Sequence, residues 1–499
     1  MNKFLSIIFN KKNWIISIFI LFLSTLFIFS LLEITNPMIG EGDAYSRAII
    51  SKRLFDKGQL FNLGITNTWL PLHFSLLNIL SSFNLNIFTS QRIVTSIFSI
   101  LSIYSLYLYS KEVFKDQKVA ILSGVIFGLL PLRIILSTQT LSETTFLFFF
   151  ILAMLFLIKR HTTKNLLFFM ILFNLSAAIR FESWLIIPLI ILYLILNNKI
   201  NKNIKFLYFL SLLLFPITWI INNFKDNGTL FYFFNNKYNI AQRTTINEFY
   251  NLNLSIKAWE GQLLQLFPIE ILIITIFSYK YLFKKLTLKK AFSYFLPIYL
   301  YIILILQVFL GTMEWFPHRY LLIPLTFLIP ILANYLIIVS KKIIKAYKKN
   351  NKKYLFILIG LIIISLSLYS YSELYKSNQK ILTILSFHNL KEDNPTNNFH
   401  IENKQYFDQI VKEINKQNFS NKKNIKYFYR DKYRTFHDQA LFYFTDSDGY
   451  DVNKNKINTE NLNNFIIVWE REYNKFENEL PSHLTKAYEN KNYFILTNN

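Results

Sequence analysis

From Trp14 to Leu368 long apolar runs alternate with lysine-bearing loops. A helix that crosses a bilayer needs about 20 apolar residues, with a broad range. Eleven stretches fit: Trp14–Leu32, Ile93–Tyr109, Val119–Leu136, Thr144–Ile158, Leu166–Ile179, Trp184–Leu196, Phe206–Ile221, Leu263–Tyr279, Phe292–Leu310, Tyr320–Val339 and Tyr354–Leu368. Leu166–Ile179 and Trp184–Leu196 are short, so they either pair as one hairpin or stand with little tilt. Two apolar segments are too short or too mixed to span. Tyr45–Phe55 alternates Ala48, Ile49, Leu54 and Phe55 with Arg47, Lys52 and Arg53, as a helix lying in the interface would. Leu70–Leu80 is apolar but brief. After Ser370 the chain turns to Asn, Lys, Asp, Glu and Tyr. There Gln405–Gln417 has helical spacing, and Asn424–Tyr429, Ala440–Thr445, Asn464–Trp469 and Asn492–Thr497 read as short strands. The pattern predicts an all-α polytopic membrane protein over residues 1–371, with juxtamembrane helices in an outer loop at 34–91. A small extracytoplasmic α/β domain is expected over 372–499.

The loops set an orientation. With the N-terminus in the cytoplasm, the inside loops hold Lys111, Lys115 and Lys118; Lys159, Arg160 and Lys164; Lys199, Lys202 and Lys205; Lys280, Lys284, Lys285, Lys289 and Lys290; and Lys341 through Lys353. The short outside loops hold mainly Arg180 and Arg319. Cytoplasmic loops favour Lys and Arg, so the alternation predicts a multi-pass protein of the plasma (inner) membrane with its C-terminal domain outside. Trp14–Leu32 follows Lys3, Lys11 and Lys12 as a signal peptide would. It is too long for that and no small-residue cleavage site follows, so it reads as a retained anchor.

Composition agrees. Hydrophobic residues make up 53% of the 499, aromatics 18% and charged residues only 17%, with a mean hydropathy of +0.29. A soluble domain carries more charge. A formal net charge of +24 alone suggests a nucleic-acid partner. The lysines fall between apolar segments, where membrane topology puts them, and no nucleic-acid partner is expected. The absence of cysteine rules out disulfides and thiolate metal sites.

This topology gathers polar residues on the outer edge. Glu41, Asp43 and Arg47 follow the first segment; Trp69 and His73 sit in a Trp-Leu-Pro-Leu-His run; Arg133 and Glu143 flank one outer turn, Arg180 and Glu182 the next; Glu314, His318 and Arg319 precede the tenth segment. Charges at membrane depth are costly and mark functional sites more often than surface charges do. Each has a plain alternative. Asp43 suits a helix N-terminus, and Thr140 with Glu143 has capping-box spacing. The arginines can snorkel to headgroups, and Trp69 fits an aromatic belt.

Five stretches together resemble a known family: Gly42–Arg47 (Gly-Asp-Ala-Tyr-Ser-Arg), Trp69–Phe74 (Trp-Leu-Pro-Leu-His-Phe), Leu141–Thr144 (Leu-Ser-Glu-Thr), Arg180–Trp184 (Arg-Phe-Glu-Ser-Trp) and His318–Leu321 (His-Arg-Tyr-Leu). In this order the chain resembles the GT-C superfamily of integral-membrane glycosyltransferases, near the protein O-mannosyltransferase and aminoarabinose-transferase branch. The resemblance implies a GT-C-like fold of about eleven transmembrane helices and a sugar donor carried on polyprenyl phosphate. The acceptor would be a glycan, lipid or protein hydroxyl. It implies that Asp43, in the first outer loop, is the catalytic carboxylate and that Glu143 assists it. This chain has Glu-Gly-Asp where many relatives have Asp-Glu, so a share for Glu41 does not follow. No cofactor is fixed. A divalent cation (Mg or Mn) held by Asp43 and Glu143 is an open option, since some members use one and others do not.

Residue chemistry fits that activity. A carboxylate can deprotonate an acceptor hydroxyl, and arginines can hold the departing phosphate. Arg47, Trp69, His73, Arg133, Arg180, Glu182, His318 and Arg319 are the candidate substrate-binding residues. A transporter or flippase of a lipid-linked saccharide is the alternative. It would more often show internal repeats and polar groups at the bilayer midplane.

Overall fold

A computed structural model describes residues 42–59, 61, 69–80, 87–128, 130–137, 139–159, 161–230, 287–309 and 318–350, and five strands between 425 and 498. The chain divides into two compact units, one of residues 1–34 and 54–387, the other of 35–53 and 388–499.

The first unit is helical. Its elements are α2 (Leu72–Leu77), α3 (Ile87–Phe114), α4 (Gln117–Gly128), α5 (Pro131–Ser137), α6 (Ser142–Ile158), α7 (Thr163–Ala177), α8 (Glu182–Leu185), α9 (Ile187–Leu196), α10 (Lys202–Asn227), α11 (Leu288–Phe309), a 3-10 turn (His318–Leu321) and α12 (Leu322–Asn350). Among the described residues, three helical stretches are long and apolar enough to cross a membrane: Ser90–Phe114, Lys202–Asp226 and Arg319–Ile338. The expected spans Trp14–Leu32, Leu263–Tyr279 and Tyr354–Leu368 lie outside the described residues.

Helix α6 is the centre of this unit. It is buried on nearly every side, as expected of a helix apolar all round, and packs on α3 and α7. The face of α3 toward the interior carries Thr95, Ser99, Ser102 and Ser110, all buried. Their short side chains allow close helix approach, and Thr95, Ser102 and Ser110 donate back to their own helix's carbonyls.

The segment Val119–Leu136 is not the single helix expected. It breaks between α4 and α5, because Pro131 lacks the N–H that would continue the ladder and suits a helix start instead. Arg133 fills the break. Its Nε donates to Phe127 O at 3.0 Å, Nη2 to Gly128 O at 2.7 Å and Nη1 to Ser99 Oγ at 2.7 Å. The guanidinium thus satisfies carbonyls that the end of α4 leaves without helical partners.

A second polar tie joins α7 to α10. Asn174 Nδ2 donates to Ser211 O at 2.9 Å, and Asn174 Oδ1 accepts from Phe215 N at 2.9 Å. Those two backbone groups are four residues apart, the spacing of one helical hydrogen bond, directly before Pro216. Such re-satisfaction by a neighbouring helix is how membrane helices tolerate proline.

Lysines expected in inside loops gather at the end of this unit away from the N-terminus of α6. Glu112 pairs with Lys115 at 2.8 Å and with Lys289, and Asp116 pairs with Lys341 at 2.9 Å.

The second unit holds α1 (Gly42–Asp56) through Arg53, and the strands β1 (Ile425–Phe428), β2 (Tyr450–Asp451), β3 (Ile466–Glu470), β4 (Leu484–Glu489) and β5 (Tyr493–Asn498). They form one mixed sheet in the order β2-β1-β3-β5-β4. β1 pairs in parallel with β2 and β3, with Ile425 opposite Ile466. β5 is antiparallel to β3 and β4, with Val468 opposite Ile495. Three expected strands appear as β1, β3 and β5. Ala440–Thr445 and the helix at Gln405–Gln417 lie outside the described residues.

Candidate active site

Two turns at one end of the helical unit carry the candidate chemistry. The first leads into α6 and places Glu143 in its opening turn, where the helix dipole favours a negative charge. The capping box does not form. Leu141, not Thr140, stands at the cap position, with no side-chain bond. The second turn closes α7 and presents Arg180 just before α8. It is held firmly. Ile179 N and Arg180 N both donate to Ser176 O, Trp184 Nε1 donates to Ala177 O at 2.9 Å, and the hydroxyls of Ser176 and Ser183 bond at 2.8 Å.

Arg180 joins the two turns. Its Nη1 donates to Glu143 Oε1 at 2.6 Å and to Ser142 Oγ at 3.0 Å. Its Nε lies 3.1 Å from each carboxylate oxygen of Glu182, and Nη2 also donates to Glu182. A third element, the 3-10 turn before α12, brings Arg319, whose Nε stands 3.4 Å from Glu143 Oε1. Tyr320 lies under both guanidiniums, 4.6 Å from Arg180 and 5.3 Å from Arg319 to the ring centre. All four charged groups are buried, Glu143 with no exposed surface at all. Burial opposes the charge of Arg180, but Glu182 and then Glu143 outweigh it and hold the guanidinium's pKa above its ordinary value.

Two buried arginines and two buried glutamates balance in charge, yet desolvating such a set is costly and adds little net stability. In a chain with helices apolar enough to cross a membrane, such a set is better read as a candidate site. Below it Phe181, Trp184 and Trp219 pack edge to face at 4.8 to 5.6 Å, and Leu70 joins the same core.

The remaining candidates divide. His73 is fully buried on α2 and bonds through Nε2 to Thr140 O at 2.9 Å. Trp69 lies half-buried against Phe74, ring centres 6.2 Å apart. Arg133 has its three nitrogens on Phe127, Gly128 and Ser99 rather than on Glu143. His318 opens the 3-10 turn, though its side chain is outside the described residues. Asp43 is the second residue of α1, in the second unit, with its side chain likewise outside. Arg47, one turn later, is buried, and Glu41 is not described. Sequence reasoning passed over Ser142 and Tyr320. Both sit inside motifs it singled out, and only folding reveals that they touch Arg180.

Among the described residues no group of three or more His, Cys, Asp or Glu could hold a metal ion. Glu143 suits a cation poorly, because its Oε1 faces two guanidiniums and a divalent ion there would meet like charge.

Comparison with known proteins follows the same residues. Residues 70–221, which hold His73, Glu143, Arg180 and Glu182, match the family model described as dolichyl-phosphate-mannose-protein mannosyltransferase. No curated protein matches. Among solved structures, ArnT from Cupriavidus metallidurans bound to undecaprenyl phosphate is similar with a TM-score of 0.59 at 11% identity, over 97% of this chain and 98% of that one. An oligosaccharyltransferase from Archaeoglobus fulgidus, in complex with Zn and sulfate, is similar with a TM-score of 0.52 at 13% identity, over 96% of this chain and 73% of that one. The archaeal oligosaccharyltransferase AglB from Archaeoglobus fulgidus, in complex with an inhibitory peptide and a dolichol-phosphate, gives 0.50 at 12%, over 93% and 70%. These structural likenesses are of fold.

Proposed function

We propose that this chain is an integral-membrane glycosyltransferase of the GT-C superfamily, a reading supported by the family model over residues 70–221 and by the fold, and that it moves a sugar from a polyprenyl-phosphate donor to an acceptor hydroxyl at the outer face of the plasma membrane. Residues 1–371 are the catalytic part and 372–499 an extracytoplasmic domain. The observation that carries this reading is the buried Glu143–Arg180–Glu182–Arg319 cluster. The cluster is neutral overall, but it holds two guanidiniums in fixed positions, and these are the groups assigned to a lipid phosphate. A guanidinium suits a phosphate because its planar fork donates two parallel bonds.

The roles follow from what each side chain already holds. Arg180 is fixed by three partners, so it is a preorganised charge rather than a mobile clamp. Arg319 has the longer contact to Glu143 and is assigned to the donor phosphate. Glu143 orients both arginines. Asp43 takes the acceptor's proton as general base. The acceptor oxygen then forms a bond to the sugar's anomeric carbon as the bond from that carbon to the phosphate oxygen breaks. The leaving phosphate keeps the electron pair, and its developing charge falls to the arginines.

The test separates a base from a carboxylate that only serves the helix dipole. In the first turn of α1 a carboxylate contributes about 0.3–1 kcal/mol, so Asp43→Asn should insert and fold with no more than that loss but transfer sugar roughly 10²-fold more slowly, as loss of a general base implies. Near-normal turnover by Asp43→Asn, with a stability loss confined to about 0.3–1 kcal/mol, would make Asp43 a helix-end charge and nothing more.

A further inference from the structure

Helix α2 is only six residues long, yet both of the turns that build the candidate site are tied to it. Leu72 N donates to Ala178 O at 3.0 Å. His73 Nε2 lies 2.9 Å from Thr140 O. A carbonyl can only accept, so Nε2 carries the hydrogen. Ala178 is the C-cap of α7, and Thr140 stands just before α6. The first N–H groups of a helix and the last carbonyls of another are those that helical bonding leaves over. Here an opening donor of α2 meets a closing acceptor of α7, and the side chain of the next residue reaches the other turn. His73 and Phe74 are fully buried and Leu70 nearly so, so α2 is anchored by packing as well.

From this juxtaposition we infer that α2 is a clamp and that His73 is a positioning residue, holding the Thr140 turn at the distance from the Ala178 turn at which Glu143 and Arg180 bond. His73 touches neither charged group in any bond described above. It acts through backbone, at Thr140, three residues before Glu143. Its partner Leu72 acts at Ala178, two residues before Arg180. The functional weight of the clamp rests on the assignment of the Glu143–Arg180 cluster to the donor phosphate, but its mechanics do not.

A double-mutant cycle in thermal unfolding of the full chain in detergent tests the clamp without reading turnover. His73→Phe keeps a ring and removes the donor. In the wild-type background it should lower Tm by about 1–2 °C, the shift that a lost interaction of ordinary size gives in a chain of 499 residues. In the Glu143→Gln background the drop should shrink to less than half, because residues in one network are non-additive and a residue that only packs locally is not. Arg180→Lys serves as a second background and should show the same shrinkage. His73→Gln, whose Nε2 lies as many bonds from Cα as that of histidine, should restore Tm to near wild type. His73→Asn, one bond too short, should not. If His73→Phe yields no folded protein, the cycle is run with His73→Asn. Equal Tm drops in the wild-type and Glu143→Gln backgrounds would overturn the clamp, as would a His73→Gln variant no better than His73→Asn. Either failure leaves the glycosyltransferase reading intact, since no sugar transfer is measured.

Discussion

Arg180 bonds to Glu143 across 37 positions of sequence, at 2.6 Å, with neither side chain more than 6% exposed. Glu143 lies in the first turn of one helix and Arg180 just beyond the C-cap of another, so the pair joins two helix ends and fixes the geometry of the two turns. Removing one partner of a buried ion pair strands the other charge and typically costs 3–5 kcal/mol. Arg180 keeps Glu182, so Glu143→Gln should fall at the lower end, about 3 kcal/mol. Equilibrium denaturation in mixed micelles reads this. A change below about 0.5 kcal/mol, the range of a neutral surface substitution, would mean that the pair does not hold the turns.

The two arginines should respond differently to lysine, which keeps charge and loses the fork. Arg319→Lys should weaken binding of polyprenyl phosphate, measured by native mass spectrometry, by roughly tenfold, the loss of about 1.4 kcal/mol. Arg180→Lys should lower thermal stability as well, because its bonds to Glu143, Ser142 and Glu182 use the whole guanidinium. Unchanged lipid affinity in both variants would remove the cluster from the donor site.

Arg133 should behave as a structural residue. Its guanidinium bridges the end of α4 to Ser99 on α3. Arg133→Lys cannot serve three acceptors in that geometry, and an unsatisfied buried polar group costs about 1–3 kcal/mol. The expected result is a lower yield of folded protein, with polyprenyl-phosphate affinity of the folded fraction unchanged. A folded, stable Arg133→Lys variant that fails to bind the lipid would return Arg133 to the donor site.

Asn174→Leu should loosen α7 from α10. Interhelical polar ties in membranes contribute about 0.6 kcal/mol on average and up to about 1.7. Asn174 makes two across the interface, at a proline-interrupted point of the ladder, so a loss of about 1–2 kcal/mol is expected. Steric-trap or SDS unfolding measures it, and a stabilised variant would contradict it.

Much of this was legible in the sequence. The apolar runs locate α3, α6, α10, α11 and α12, and charges at the ends of apolar runs single out Glu143, Arg180, Glu182 and Arg319, which the fold brings together. What escaped depends on backbone geometry. Nothing in the residue order shows that Arg133 meets helix-end carbonyls, or that His73 donates to the backbone of Thr140. Leu129 and Leu130 continue an apolar run, so the break ahead of Pro131 is masked by hydropathy that fits one span. β2 and β4 were missed for different reasons. The first has two residues. The second, Leu-Thr-Lys-Ala-Tyr-Glu, takes its place by pairing with β5 rather than from its own pattern.

The central claim is that a polyprenyl-phosphate sugar is the donor. Its most direct test is release of free polyprenyl phosphate, followed by mass spectrometry, when the purified full chain in nanodiscs meets lipid extracted from the membranes of its source. Wild type should release it well above empty nanodiscs, and the Asp43→Asn protein roughly 10²-fold more slowly. Folded wild-type protein that releases no more than empty nanodiscs, with acceptor-bearing envelope material present, would contradict the account.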